Sequence, residues 1–394
     1  MDDAALERVK GFLEEHREDM QRSLEELARM ETPSLDPASQ KPILDALECA
    51  FREMGFRTLR ISGRETGGHL YARPGDRRRG TPFQLLVGHC DTVWPRGTLK
   101  KMGLEMRDDR LYGPGVFDMK GGLVQLIFAL KALRAAGVEP EVTPVVFINS
   151  DEEIGSRESR RHIIRLARRA DRALVLEGPL GLDGKLKTAR KGLGRFTVNI
   201  QGRAAHAGVD PEKGASAILE LSSVIQKLFA LNDPEQGVTV NVGTIDGGIR
   251  PNVVAPTSEA VVDVRVPTRR DAERLEAAIR GIRPSTPGTS IDVTGRFGRP
   301  PMVETEGNRR LFEEARRIGE HLDLNLESCM AGGGSDANWT SLHTPTLDGL
   351  GALGAGAHSV QEFIVPASMV PRTALLAGLI ALPAMSESAP SGSR

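Results

Sequence analysis

Three short, continuous runs of apolar residues divide the first 180 residues of the chain, at positions 85–87, 145–148 and 173–176. Turn residues bound each run, a pattern typical of strands that are buried on both faces. Apolar residues recur at helical spacing over residues 6–30, 43–54, 123–135 and 159–169. Helices that alternate with buried strands predict an α/β domain with a mostly parallel sheet flanked by helices.

The pattern changes near Gly192, because apolar and polar residues then alternate as in a half-exposed strand. Further along the chain, helices are predicted at residues 213–230 and 270–282, and strands at 238–245, 258–266 and 291–294. This β-α-β-β-α-β order is the ferredoxin-like arrangement. We therefore predict an inserted domain at residues 193–299. Residues 1–192 and 300–394 would form the domain around it.

Composition narrows the classes of function. The chain has 394 residues, a formal net charge of -1 and only 4% aromatic residues, which argues against nucleic-acid binding. No apolar stretch reaches the ~20 residues of a membrane span, so we expect no membrane association. A polar start without a secretory signal, together with three sparse cysteines, predicts a cytoplasmic protein.

Candidate ligands follow the predicted strands. His89 and Asp91 come directly after the first buried run, where binding residues gather in parallel sheets. Asp91 can accept the second ring N–H of a metal-bound His89, although this pair alone fits a helix cap or a turn equally well. Asp118, in the glycine-rich segment 112–122, stands before a helix. Its carboxylate can bridge two cations or simply cap that helix.

Acidic residues also follow the next two runs. Asp151, Glu152 and Glu153 are consecutive and repel one another. A solvated loop tolerates such repulsion, but a divalent cation explains it better, because it neutralises one acid and leaves its neighbour free. Glu177 follows the last run, and His358 lies in a glycine-rich loop. Imidazoles and carboxylates without thiolates suit zinc at a hydrolytic centre.

Four motifs, at residues 88–93, 112–122, 149–155 and 332–337, resemble those of one family in content and order. It is the dinuclear zinc metallopeptidase family of glutamate carboxypeptidase, aminoacylase, acetylornithine deacetylase and succinyl-diaminopimelate desuccinylase. The resemblance is strongest to bacterial glutamate carboxypeptidase. It implies two Zn²⁺ ions, with Co²⁺ or Mn²⁺ as substitutes, and a cis peptide bond after the shared ligand. The ligands that it implies are His89 and Glu177 for one metal, Glu153 and His358 for the other, and Asp118 shared between them.

The resemblance also assigns roles around the metals. Asp91 would orient His89, and Glu152 would act as general base toward a water that the two cations acidify. His206, in the motif at 202–208, would reach the active site of the other subunit of a homodimer formed by the inserted domain. Without the resemblance, His206 would be an ordinary surface histidine. Asn252 offers a further donor to the oxyanion.

Three residues are candidates for binding the substrate. Arg299 matches the arginine that binds the substrate carboxylate in the glutamate carboxypeptidases. Arg265 is a second candidate, although an ion pair with Asp263 explains it equally well. Gly333 lies in a loop of backbone donors, for which the alternative is a tight turn before a helix capped by Ser335.

We therefore predict a metal-dependent hydrolase that removes a C-terminal amino acid from a small N-acyl amino acid or a short peptide. The alternative within this class is a deacylase of N-acyl amino acids, of the acetylornithine or succinyl-diaminopimelate type. A non-catalytic binding protein of the same family would have lost a metal ligand or the base, and the sequence retains all of them.

Overall fold

The chain forms two compact units in the computed structural model, which describes residues 1–78 and 80–385. The first unit contains Met1–Thr188, Glu304–Met330 and the described residues from Ser335 onward. The second contains Ala189–Val303 and Ala331–Gly334. It therefore extends slightly beyond the predicted insertion at both ends. The last part of the predicted outer domain, after residue 385, lies outside the described residues.

The helices, in chain order, are α1 (Asp3–Glu15), α2 (Arg17–Arg29), α3 (Pro37–Glu53), α4 (Thr98–Met102), α5 (Gly121–Ala135), α6 (Arg160–Ala167), α7 (Ala217–Phe229), α8 (Arg269–Arg280), α9 (Glu306–Glu320), α10 (Ala337–Thr340) and α11 (Met369–Ile380). The strands are β1 (Phe56–Ile61), β2 (His69–Pro74), β3 (Phe83–His89), β4 (Glu105–Arg107), β5 (Arg110–Tyr112), β6 (Thr143–Asn149), β7 (Ala173–Val175), β8 (Leu186–Arg190), β9 (Gly192–Gln201), β10 (Thr239–Gly247), β11 (Thr257–Val266), β12 (Ser290–Arg299), β13 (Ser328–Ala331), β14 (Thr346–Leu347), β15 (Gly354–Ala355) and β16 (Phe363–Ile364).

A six-stranded mixed sheet forms the centre of the first unit, in the order β1-β2-β6-β3-β7-β14. Strands β6, β3, β7 and β14 are parallel, as predicted, whereas β2 runs antiparallel to β6 and to β1. Every residue of β3 is buried, which fits its continuous apolar run. The sequence pattern did not reveal β1, because its polarity does not follow its burial: Leu59 is exposed and Arg60 is half-buried.

Helix α5 is buried on almost every side because it packs against β3 and against α1, α2 and α11. Its apolar residues therefore show little preference for one face. At its first turn, Gly122 lies so close to the sheet that an added Cβ would be 2.0 Å from the backbone oxygen of Leu176. This close approach fixes the start of α5 against the residue that precedes Glu177.

The second unit has the predicted β-α-β-β-α-β order, built from β9, α7, β10, β11, α8 and β12. Its antiparallel sheet has the order β10-β11-β9-β12, with α7 and α8 packed against it. Alternate residues of β9, such as Phe196 and Val198, are fully buried in its core. At its two ends, Arg190 and Met302 pair through backbone hydrogen bonds of 2.9 and 3.0 Å.

Within residues 1–78 and 80–385, no helix combines the length and the apolar character that crossing a bilayer requires.

Replacing Gly122 with alanine is expected to destabilise the protein by about 1–3 kcal/mol, because α5 and the segment after β7 must move apart to admit a methyl group. Urea unfolding followed by circular dichroism measures this change. Gly11→Ala is the matched control. Gly11 is exposed on α1 with no neighbouring atom within 4 Å of the added Cβ, and alanine there is expected to stabilise by up to about 1 kcal/mol. Equal stability of Gly122→Ala and the unmodified protein would contradict this account of the packing.

Candidate active site and metal centre

The predicted ligands of the first unit converge at one edge of its sheet. His89 ends β3, Glu152 and Glu153 follow β6, and Glu177 follows β7. Because these parallel strands share a direction, their carboxyl ends meet at the same edge. Two loops complete the group: the segment before α5 brings Asp118, and the loop between β15 and β16 brings His358.

Asp118 lies between the two imidazoles. Its Oδ1 is 3.1 Å from Nε2 of His89, and its Oδ2 is 3.3 Å from Nε2 of His358. Each oxygen of one carboxylate thus faces a different imidazole, as a bridging ligand requires. Asp118 does not cap α5, because the helix begins at Gly121, Lys120 occupies the N-cap position and no side-chain hydrogen bond caps the helix there. The Asp118–Met119 peptide bond is cis.

A glutamate lies beside each imidazole. Oε1 of Glu177 is 3.6 Å from Nε2 of His89, and Oε2 of Glu153 is 3.0 Å from Nε2 of His358. The side chains therefore form two groups that share Asp118. One ligand atom each from His89, Glu152 and Glu177 also lie within 4.8 Å of one another, so Glu152 is close enough to be either a base or a ligand.

Asp91 contacts both His89 and the acidic loop. Its Oδ1 is 3.4 Å from Nδ1 of His89, and its backbone oxygen is 3.0 Å from the same nitrogen. The backbone N–H groups of Glu152 and Glu153 donate to its carboxylate at 3.2 Å, and the Ser34 hydroxyl donates at 2.7 Å. The contact with His89 was predicted from the sequence, and the contact with the acidic loop was not. Asp91 therefore holds both an imidazole and the backbone of the two glutamates.

Burial and neighbouring charges shift the pKa values of the residues around Asp118. Hydrogen bonds to Asp118 and Glu153 raise the pKa of His358 to about 10. Burial raises the pKa of Glu153 to about 7. Burial acts in the same direction on Asp118, but hydrogen bonds from His358 and His89 outweigh it and lower the pKa of Asp118. The group therefore has more carboxylates than its imidazoles can balance, an excess that divalent cations compensate.

The donor set fits such cations, since it consists of imidazole nitrogens and carboxylate oxygens. Cys90 is buried next to His89, and burial raises the pKa of its thiol to about 12. Near neutral pH this thiol stays protonated, so Cys90 acts as a small buried side chain rather than as a ligand.

Two buried acids near the group were not predicted from the sequence as contributors. Asp336 accepts hydrogen bonds from Nδ2 of Asn149 and Oγ of Ser156, and so ties the motif at 332–337 to the acidic loop. Glu362 accepts N–H groups from the loop that carries Asp118. Their partners are amides and hydroxyls, which give no charge pattern in the sequence. The only available signal was a lone acid in a glycine-rich or apolar context.

The second unit holds the other candidates. His206 and Asn252 are both exposed and lie on adjacent segments, since the Ala207 N–H donates to the Asn252 carbonyl at 3.0 Å. Arg299 is buried, with 5% of its surface exposed. Arg265 forms the ion pair with Asp263 that we considered as its alternative role, at 2.9 Å.

The loop at 332–337 shows the turn that we considered as its alternative role. Oγ of Ser335 accepts the N–H of Ala337 at 3.0 Å, directly before α10. In the part of this loop that belongs to the second unit, the Gly333 carbonyl accepts Nη1 of Arg190 at 2.9 Å, and the Gly332 carbonyl accepts Nη1 of Arg265 at 3.0 Å. Arginines therefore hold the glycine loop through its carbonyl oxygens.

Imidazoles and carboxylates that converge at the carboxyl end of a parallel sheet, with one carboxylate between two such groups, define a metal-dependent hydrolase. The chain belongs to Peptidase family M20/M25/M40, which matches residues 85–382. This family includes dinuclear metal-binding peptidases, and the group around Asp118 is the candidate metal site.

Curated relatives cover most of the chain. Carboxypeptidase G2 of Pseudomonas sp. (strain RS-16) is 30% identical over 90% of this chain and 87% of its own. Succinyl-diaminopimelate desuccinylase of Rhodospirillum centenum (strain ATCC 51521 / SW) is 28% identical over 87% of this chain and 92% of its own. Aminopeptidase PepT from Bacillus cereus ATCC 10987 shares the fold, with a TM-score of 0.75 at 22% identity over 93% of this chain and 98% of that one.

Asp91→Asn is expected to weaken metal binding about 10–100-fold, because one of the two carboxylate oxygens that face His89, Ser34 and the glutamate N–H groups becomes an NH₂ donor. Competition with a chromophoric chelator measures the affinity. Ser34→Ala is the control, since it removes one hydrogen bond to the same carboxylate and leaves the contact with His89. A larger loss of affinity in Ser34→Ala than in Asp91→Asn would refute the role given to Asp91.

Proposed function

We propose that the protein is a two-zinc amidohydrolase that releases a C-terminal amino acid from a small N-acyl or peptidyl substrate. The observation that carries this proposal is the Asp118 carboxylate, whose two oxygens face His89 and His358. Glu177 would complete one metal site and Glu153 the other. Co²⁺ or Mn²⁺ can replace Zn²⁺ at sites with these donors.

Glu152 is the proposed general base. When bound, the two cations supply positive charge that acidifies a water molecule and polarises the scissile carbonyl. The Glu152 carboxylate then takes a proton from the water as the water oxygen attacks the carbonyl carbon. As the C–N bond breaks, Glu152 returns the proton to the leaving amine. We assign Glu152 this role because His89, Glu177 and Asp118 already supply the donors of the nearby metal.

The second unit supplies the proposed substrate contacts. Arg299 would bind the free carboxylate of the leaving amino acid through its two-pronged guanidinium. Arg265 and the Gly333 backbone would support it, since the arginine already contacts this glycine loop. His206 and Asn252 would donate hydrogen bonds to the oxyanion in the other subunit, a role that their exposure and their adjacent positions support.

A homodimer through the second unit is part of the same proposal. Strand β10 lies at an edge of its sheet, and Ile245 on it is 65% exposed. Ile249 is also exposed, and so is Ile218 on α7, which lies beside Gly247 and Gly248 at the end of β10. An apolar sheet edge of this kind is suited to pair with a second copy. The cytoplasmic location stays a prediction.

The alternative activity is deacylation of an N-acyl amino acid. Relatives named succinyl-diaminopimelate desuccinylase and acetylornithine deacetylase favour it, and both activities use the same metals and base. The greater identity to carboxypeptidase G2 favours the carboxypeptidase. Hydrolysis of aryl-glutamates and folyl-glutamates, compared with N-acetylornithine and N-succinyl-diaminopimelate, distinguishes the two activities.

Glu152→Gln is expected to lower kcat about 10²–10⁴-fold while two metal ions per chain remain bound, because the amide cannot accept the proton. Turnover of the best substrate and elemental analysis are the two measurements. Glu158→Gln, the same substitution later in the same loop, is expected to keep wild-type kcat. Loss of metal from Glu152→Gln would instead make Glu152 a ligand, and undiminished turnover would exclude it as the base.

Ile245→Glu is expected to shift the protein from dimer to monomer in light scattering, because a charge on the β10 edge opposes pairing. If His206 acts across the dimer interface, kcat falls as the dimer dissociates. Leu59→Glu is the control, since Leu59 is 58% exposed on β1, an edge strand of the other sheet, and the dimer should persist. A monomeric wild-type protein with full activity would refute both the dimer and the action of His206 in trans.

A further inference from the structure

Glu362 is a fully buried carboxylate with no part in the proposed reaction. Its Oε1 accepts the backbone N–H groups of Phe117 and Asp118, each at 3.0 Å. Its Oε2 accepts the N–H of Gly115 at 2.9 Å and the indole Nε1–H of Trp94 at 3.0 Å. Four neutral donors thus bind one buried carboxyl group, and three of them belong to a single loop.

The main-chain hydrogen bonds of this loop come from the N–H groups of Val116, Lys120 and Gly121, and not from the three N–H groups that Glu362 binds. Gly115 has a positive φ of 73°, and the backbone at Asp118 and Met119 is not helical. The regular helix α5 starts only at Gly121. A buried N–H without a partner costs about 1–3 kcal/mol, so three such groups would strongly disfavour this conformation. Glu362 is therefore the group that makes the irregular loop stable.

The loop places Asp118. The N–H of this residue is bound to Glu362, while its two carboxylate oxygens face His89 and His358. We propose that Glu362 is a positioning residue that fixes Asp118 as the shared ligand between two metal positions. This inference rests on the proposed function of Asp118 as that ligand.

The same segment also carries His358. Glu362 lies four residues after it and directly before β16, which pairs with β5. The backbone oxygen of Glu362 accepts the N–H of Gly113 at 3.2 Å, so main chain and side chain together hold both ends of the loop. The segment 358–362 therefore supplies one proposed ligand, His358, and sets the position of another, Asp118. It links the two metal positions in this way.

The first test compares Glu362→Gln and Glu362→Ala with the wild-type protein in titrations of the metal-free form with Co²⁺, followed by visible absorption. Glutamine has the same shape as glutamate and keeps one acceptor oxygen. Its NH₂ group replaces the other oxygen and faces an N–H donor to which it cannot bind. We expect Co²⁺ affinity to fall about 10–100-fold in Glu362→Gln and further in Glu362→Ala. With the best substrate, kcat should fall while KM stays within about 3-fold of wild type.

Glu220→Gln is the matched control. Glu220 is a buried carboxylate of the second unit that accepts the backbone N–H groups of Ser285 and Thr286. The same substitution there removes the same kind of hydrogen bond. We expect it to lower the thermal midpoint while Co²⁺ affinity stays within about 3-fold of wild type. A purely structural role of Glu362 would make Glu362→Gln behave in the same way.

The possible outcomes separate this inference from the proposed function. Unchanged Co²⁺ affinity and kcat in Glu362→Gln overturn the positioning role, even if the wild-type protein binds two Co²⁺ ions. A wild-type protein that binds no pair of Co²⁺ ions overturns the proposed function, and this inference with it. If both variants fail to fold, hydrogen exchange of wild-type peptide 113–120 decides. Protected amides at Phe117 and Asp118 support the positioning role, and exchange at the free-peptide rate refutes it.

Discussion

Repulsion among the four neighbouring carboxylates of Asp118, Glu152, Glu153 and Glu177 is the constraint on which the rest of the structure depends. Glu152, Glu153 and Glu177 extend from strand ends, where the buried sheet leaves their backbones little freedom to move apart. His89 and His358 offset part of this repulsion at Asp118, Glu153 and Glu177, and divalent cations would compensate the rest. Asp91 and Glu362 show the complementary use of a buried acid, since each binds the N–H groups of a loop that carries other acids.

The sequence reveals the parts of this arrangement that depend on burial. Strands β3, β6 and β7 are continuous apolar runs, and the acids that follow them are visible as breaks in those runs. The short strands β4, β5, β15 and β16 carry no such signal, because they have only two or three residues each. The β1–β2 pair was missed because polar residues interrupt both strands, such as Arg57 in the partly exposed β1 and His69 in the largely buried β2.

Side-chain roles were predictable only where the partner is also visible in the sequence. An aspartate before a helix looks the same whether it caps that helix or binds a metal, so the choice for Asp118 needed its backbone angles and its distances to His89 and His358. Arg265 had a nearby acid in sequence, and its ion pair with Asp263 was among the roles considered. Glu362 and Asp336 bind backbone, amide and hydroxyl groups, which every sequence contains, so their partners could not be predicted even though Asp336 lies in the motif at 332–337.

Membership of the family defines the type of reaction but not the substrate. The carboxylates and imidazoles around Asp118 can act on an amide bond whatever groups it joins. What distinguishes one amide from another must come from elsewhere, and the substrate contacts proposed for the second unit would supply it. Near the ends of its long segment, Ala189–Val303, Arg190 and Met302 pair with each other, so this segment leaves and rejoins the chain at one point. A module attached in this way can lengthen, diverge or be exchanged during evolution while the connectivity of the hydrolytic sheet stays intact. Changes of specificity can therefore accumulate in one module while the chemistry is inherited unchanged in the other.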